Sequence, residues 1–187
     1  MSNLAVINKD NSTTVREYFS SQEMVNVIKS MVAKNATNDE CLMFKELAIA
    51  SNLNPFKKEI WFIKTNSGPQ IMTGINGYWK IANSHPMFQG YEEDLMIEGG
   101  KVIGAWCKVY RKDREYPIKA VVYLEEYIQP SSHIWKSKPK MMILKVAESV
   151  ALRKAFPEEF NGIYTEEEMP DKFDRNNINN VVDIEIR

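Results

Sequence analysis

Apolar residues fall into helical spacing twice near the start of the chain. Met24, Val25, Ile28, Met31 and Val32 follow a capping-box pattern at Ser20 to Glu23. A second box, Thr37 to Glu40, opens a helix expected to turn Met43, Leu47 and Ala50 inward. Together they predict a helical hairpin, ended at Asn54-Pro55 because the residue before a proline is pushed out of the α region. The period then changes to two. Lys58 to Lys64 reads as a strand with Ile60 and Phe62 on one face and Trp61 and Ile63 on the other, so both faces are expected to be covered. A turn at Asn66-Ser67-Gly68-Pro69 returns the chain through a partner strand, Gln70 to Thr73.

A short helix, Asn76 to Asn83, carries Tyr78, Trp79 and Ile81 and precedes a three-stranded meander. Its strands are Tyr91 to Ile97, Val102 to Tyr110 and Tyr116 to Tyr123, joined by a Gly99-Gly100 turn and a charged turn at Arg111 to Arg114. Ile103, Ala105, Cys107 and Val109 alternate with Trp106, Lys108 and Tyr110. The first set is expected in the core. The second, with Lys119 and Tyr123, is either a base-stacking platform or an ordinary second face covered by a helix, and these rings are not placed in the site. After a helical turn at Leu124 to Ile128, an exposed loop from Pro130 to Lys138 leads into a final helix entered at Pro139, whose missing N–H has no intrahelical partner there. At 100° per residue, Ile143, Val146, Ala147 and Val150 share a face built to pack. Met142, Lys145, Ser149 and Arg153 line another, expected to meet something negative.

The predicted fold class is therefore α+β: an N-terminal helical hairpin, a small antiparallel β-hairpin, a three-stranded meander and a C-terminal basic helix. Residues 20–164 form the domain, 1–19 a flexible arm and 165–187 an acidic, mostly disordered tail. At 187 residues and 44% hydrophobic, one core is affordable and two are not. The net charge of −1 hides a division: residues 1–156 carry 21 Lys+Arg and 16 Asp+Glu, whereas 157–187 carry 3 and 9. A basic body is followed by an acidic end. Two separated cysteines, Cys41 and Cys107, and no leader-like start predict a reduced, cytoplasmic protein. No apolar run approaches the about 20 residues needed to span a bilayer, so no membrane partner is expected.

Signatures of enzymatic chemistry are missing. No Gly is followed by Lys-Ser or Lys-Thr, so there is no Walker loop for ATP. Gly74-Ile75-Asn76-Gly77 matches a KH-type clamp but follows a strand, which makes turn and helix entry the better reading. No Asp-x-Lys or Glu-x-Lys occurs, and the adjacent acids Glu92-Glu93-Asp94 and Glu125-Glu126 converge poorly on a metal. Cys41, Cys107, His85 and His133 lack zinc spacing, and nothing local supports a Cys–His nucleophilic pair. What remains is basic: Lys57-Lys58 at a strand entry, Arg111, Lys112 and Arg114 on a hairpin tip, and the stretch Trp135 to Phe156. That stretch carries Lys136, Lys138, Lys140, Lys145, Arg153 and Lys154 against one acid, Glu148. A charge run is often only a wet face. An indole beside spaced cations, however, can stack a base while the cations follow phosphates. Clusters spread over a fold suit tracking a backbone more than reading base edges, and predict strong salt dependence with weak sequence dependence.

The runs Pro139-x-x-Met142-x-x-Lys145-x-Ala147-Glu148, Ala151-Leu152-Arg153-Lys154-Ala155-Phe156-Pro157 and Gly162-Ile163-Tyr164 resemble the Bet group of phage recombination proteins. So do Leu53-Asn54-Pro55-Phe56-x-Lys58-Glu59-Ile60, Gly74 to Tyr78, and Val109-Tyr110-Arg111-Lys112-Asp113. These are single-strand annealing recombinases of the RecT family, and the likeness runs in order from about residue 20 to 169. It implies an ATP-independent protein without a dedicated cofactor, Mg²⁺ entering at most non-specifically. It also implies binding of single-stranded DNA and of the annealed duplex, and homo-oligomers in rings or helical filaments. The implied partners are a phage 5′–3′ exonuclease and a host single-strand-binding protein. By motif, Lys58, Arg111, Lys112, Lys145 and Arg153 become backbone contacts and Trp135 positions the loop. Longer family members continue into a C-terminal domain implicated in exonuclease contact, which this chain is expected to lack. The leading alternative is a module that coats single-stranded DNA or RNA without pairing it; an assembly protein and a nuclease are the others.

Overall fold

Capping side chains fix where the N-terminal helices begin. The computed structural model describes residues 15–65 and 68–165. A single helical turn, α1 (Val15–Tyr18), precedes α2 (Gln22–Met31), whose N-cap is Ser21 rather than Ser20: its hydroxyl accepts the Met24 N–H at 3.2 Å. Helix α3 (Asn38–Ala50) has the full predicted box, with Thr37 Oγ1 accepting from Glu40 N–H at 3.2 Å and Glu40 Oε2 accepting from Thr37 N–H at 2.7 Å. Its buried residues are Cys41, Phe44 and Ala48; Met43 and Ala50 are exposed and Leu47 is half-buried. Apolar residues occur on more than one side of this helix, and the Phe44 ring, edge-on to Phe62 at 6.4 Å, decides which side turns inward. Packing starts within the span read as an arm, because Val15 and Phe19 are buried. The rest of that arm, Asn66-Ser67 and the acidic tail from residue 166 lie outside the described residues.

Asn54 then caps a 3-10 turn, Pro55–Lys57, by accepting from the Phe56 and Lys57 N–H groups. Strand β1 (Ile60–Thr65) pairs antiparallel with β2 (Gly68–Thr73). A two-residue strand late in the chain, Tyr164–Thr165, adds to β2 in parallel, a pairing too short to leave a periodic signal. Helix α4 (Ile75–Ser84) starts at Gly74. A Cβ on Gly77 would lie 2.6 Å from Thr73 Cγ2 and 2.7 Å from Glu59 O, so this glycine is set by helix–strand approach and the tetrapeptide is a helix entry.

The meander is β3 (Phe88–Glu98), β4 (Lys101–Arg111) and β5 (Ile118–Tyr123), in that order and antiparallel. Gly99 and Gly100, at φ +55° and +77°, form the tight turn between β3 and β4. Two short helices, α5 (Leu124–Tyr127) and α6 (His133–Ser137), lead to α7 (Pro139–Ala155) with proline at the predicted first position. Helix α7 lies across β4 and β5. Its Ile143, Val146, Ala147, Ala151 and Leu152 share one core with Ala105, Cys107, Val109, Ala120 and Val122 of the sheet. Because α4, α6 and β3 also contact α7, its second stripe is packed too: Met142 and Ser149 are buried, and Lys145 and Arg153 half-buried. The wet basic face expected on this helix is therefore not present along its length.

Candidate nucleic-acid interface

Basic groups reach solvent at the two ends of α7, which 17 residues place about 25 Å apart. At its start, Lys136, Lys138 and Lys140 are all exposed within five residues of chain. No side chain caps this N-terminus, so the positive end of the helix dipole adds to the three ammonium groups. The predicted exposed loop is instead partly helix, and the reason is Trp135. It is 1% exposed, filling the space under α6, and cannot stack a base. Its role is to anchor the segment that presents Lys136 and Lys138.

At the other end the expected contacts divide. Lys112 and Arg114, in the β4–β5 turn, and Lys154 on the last turn of α7 are exposed. Arg111 is not a free cation. It is half-buried, forms two bonds to Asp113 at 2.8 and 2.7 Å, donates to the Ala155 carbonyl, and lies over the Phe156 ring at 4.8 Å. A guanidinium at a helix C-terminus satisfies orphan carbonyls and opposes the negative dipole end. Its proximity holds the Asp113 carboxyl down at about 2. Arg153 is likewise committed: Nη2 donates to Tyr78 Oη at 3.2 Å, Tyr78 Oη donates to Ile163 O at 2.7 Å, and the guanidinium sits 4.8 Å from the Tyr164 ring. Lys145 is half-buried one turn before Glu148. Lys57 and Lys58 form a separate exposed pair, with Lys58 in the left-handed region at φ +55°.

Beside α7 lies a feature that sequence spacing did not reveal. Glu148 accepts a hydrogen bond from Trp79 Nε1 and shares another with Glu93 of β3. Burial, with the nearby Glu93 carboxyl adding to it, pushes the Glu148 carboxyl up to about 7. Burial also raises Glu93, and raises the Cys107 thiol beside the pair to about 12. The acids that converge come from different elements, a strand and a helix, so adjacency along β3 gave no hint of them. Trp79 also packs against Tyr91, with ring centroids at 4.1 Å, which closes the cluster toward the strand.

For the second face of the meander, the alternative of a covering helix is the one the described residues do not show. Cross-strand register puts Trp106 opposite Val121, and Lys108 opposite Lys119. Among the described residues α7 is the helix that crosses this sheet, and it covers the other face; Val121 and Tyr123 remain 43% and 46% exposed. The alternation in β4 was the available signal.

With this geometry in place, comparison with known proteins is decisive. The sequence profile of the RecT family matches residues 19–182. The chain belongs to the RecT family. It is also 29% identical over 160 residues to the recombination protein bet of Escherichia phage lambda, covering 79% of this chain. The chain thereby spans 58% of that relative's length. The mixed helix-and-sheet fold anticipated from periodicity is the one the described residues adopt. No helix of the described residues is long and apolar enough to cross a membrane.

Proposed function

We propose that this RecT-family chain binds single-stranded DNA and pairs it with a complementary strand without nucleotide hydrolysis, acting in the cytoplasm of a phage-infected host. Annealing makes and breaks no covalent bond. It requires neutralised phosphates and accessible base edges, and no catalytic acid or dedicated cofactor; Mg²⁺ would act only non-specifically on the DNA. The observation that carries the reading is the exposed trio Lys136, Lys138 and Lys140 at the uncapped, positive end of α7. Lys112, Arg114 and Lys154 at the far end, and Lys57 with Lys58, are proposed as further phosphate contacts. Arg111, Arg153 and Trp135 are proposed to support these surfaces from within. Family membership supports assembly of several copies on DNA; a strand-resecting exonuclease and a single-strand-binding protein are proposed as its partners.

The test is the pairing rate of two complementary labelled oligonucleotides without nucleotide, read on a denaturing gel. Acceleration with both strands intact is the expected outcome. The triple variant Lys136→Glu, Lys138→Glu and Lys140→Glu should weaken binding and reduce the slope of log affinity against log salt by about 2, near 0.7 for each phosphate no longer neutralised. Tight binding without acceleration would make the protein a coating module, and shortened strands would make it a nuclease.

A further inference from the structure

The open face of the β3–β4–β5 sheet has a composition that folding does not require. Lys108 and Lys119 are directly opposed across β4 and β5, a like-charge pairing that weakens a sheet. Both ammonium groups converge on one indole: Lys108 Nζ is 5.0 Å and Lys119 Nζ 5.5 Å from the Trp106 ring centroid. Next to this ring, Val121 lies opposite and Tyr123 diagonally, the latter at about 7 to 8 Å by strand geometry. An aromatic pair flanked by cations is what a single strand needs, rings for bases and charge for phosphates.

Acids on the same face lie on β3, Glu92 opposite Lys108 and Asp94 opposite Trp106. Glu92 binds Lys108 Nζ at 3.2 Å and Tyr110, whose hydrogen bonds hold its carboxyl below the ordinary range. Asp94 Oδ1 accepts the Leu95 N–H at 2.7 Å. The half of the face formed by Trp106, Lys119, Val121 and Tyr123 is the electropositive and apolar part. We infer that this half is a base-stacking site for single-stranded nucleic acid, distinct from the lysines at the start of α7. Of those, Lys140 lies on the helix that covers the opposite face of the sheet, and Lys136 and Lys138 belong to the segment that leads into it. The inference rests on the strand-binding function proposed above and adds to it a surface that senses bases instead of phosphates alone.

Two fluorescent probes of equal length separate the contributions: oligothymidylate, and an abasic deoxyribose-phosphate oligomer. The full chain carrying Trp106→Ala should bind oligothymidylate about 5- to 150-fold more weakly, the range for loss of one stacked base, with the abasic probe nearly unaffected. Trp106→Phe should restore most of the difference. The Lys136, Lys138 and Lys140 reversal should weaken both probes alike. Unchanged oligothymidylate affinity in a folded Trp106→Ala protein, verified by circular dichroism, would overturn the inference. So would an equal loss on both probes. Loss of oligomers without DNA, read by light scattering, would make the face a subunit contact and also overturn it. If the unaltered protein binds neither probe, strand binding itself fails and this site with it.

Discussion

Glu148 shows how little a residue's neighbours in sequence disclose about its work. Flanked by Ala147 and Ser149 and one turn from Lys145, it reads as the sole acid in a basic stretch, yet it meets Glu93 and Trp79 from other elements. Its raised carboxyl fixes the sign of its effect on stability. A folded value near 7 lies above the ordinary carboxylate value, so the folded state binds the proton more tightly than the unfolded chain. The contribution is fully present below about pH 4.5 and is lost as pH rises through 7. Glu148→Gln keeps a neutral acceptor for Trp79 at every pH. The variant should therefore match the parent at pH 5 and exceed it at pH 8 by about 1 to 2 kcal/mol, after allowance for solvent screening, or several degrees in Tm. Thermal melts at both pH values check this, and a pH-independent difference would remove the carboxyl pair as its cause. Arg111 teaches the complementary lesson. A guanidinium in a charged turn suggests a phosphate ligand, whereas bonds to Asp113 and Ala155 make it a brace between the sheet and the end of α7.

At the scale of elements, Trp135 carries the argument. It sits among lysines and reads as an exposed ring, yet burial in α6 makes it the pin for the segment presenting Lys136 and Lys138. Trp135→Ala should cost about 3 to 5 kcal/mol, as removing a large buried ring does, and should weaken DNA binding only through lost fold. Chemical denaturation beside a binding titration tests this: lost affinity at unchanged stability would return the indole to the DNA surface. Much of the architecture was legible, because Thr37–Glu40, Pro139 and the two-residue alternation of β4 are local signals with local causes. The inward face of α3, the helix at His133–Ser137 and the parallel strand at Tyr164–Thr165 were not, since each is chosen by a distant partner. The site divided the same way. Lys136, Lys138 and Lys140 were visible as charge, but which cations stay free depends on tertiary acids, carbonyls and rings.

For the whole molecule the governing quantity is the uneven distribution of charge. Residues 166–187 hold seven Asp+Glu against three Lys+Arg, so their removal changes the net charge from −1 to +3. A polyanion approaching the lysines of α7 meets the field of the entire chain, and an acidic segment within a Debye length, about 8 Å at physiological salt, competes with phosphate for the same cations. Ending the chain after Thr165 keeps the buried end of the strand that pairs with β2. This truncation should bind single-stranded DNA more tightly at low ionic strength, and the gain should shrink as salt rises. The number of phosphates neutralised would be the same, so the salt slopes of the two proteins should differ by the released acidic segment alone. Fluorescence anisotropy across a salt series reads both quantities. Complete loss of binding by a truncation that retains its circular dichroism would show instead that residues 166–187 help assemble the DNA-binding form, and that their charge is incidental to it.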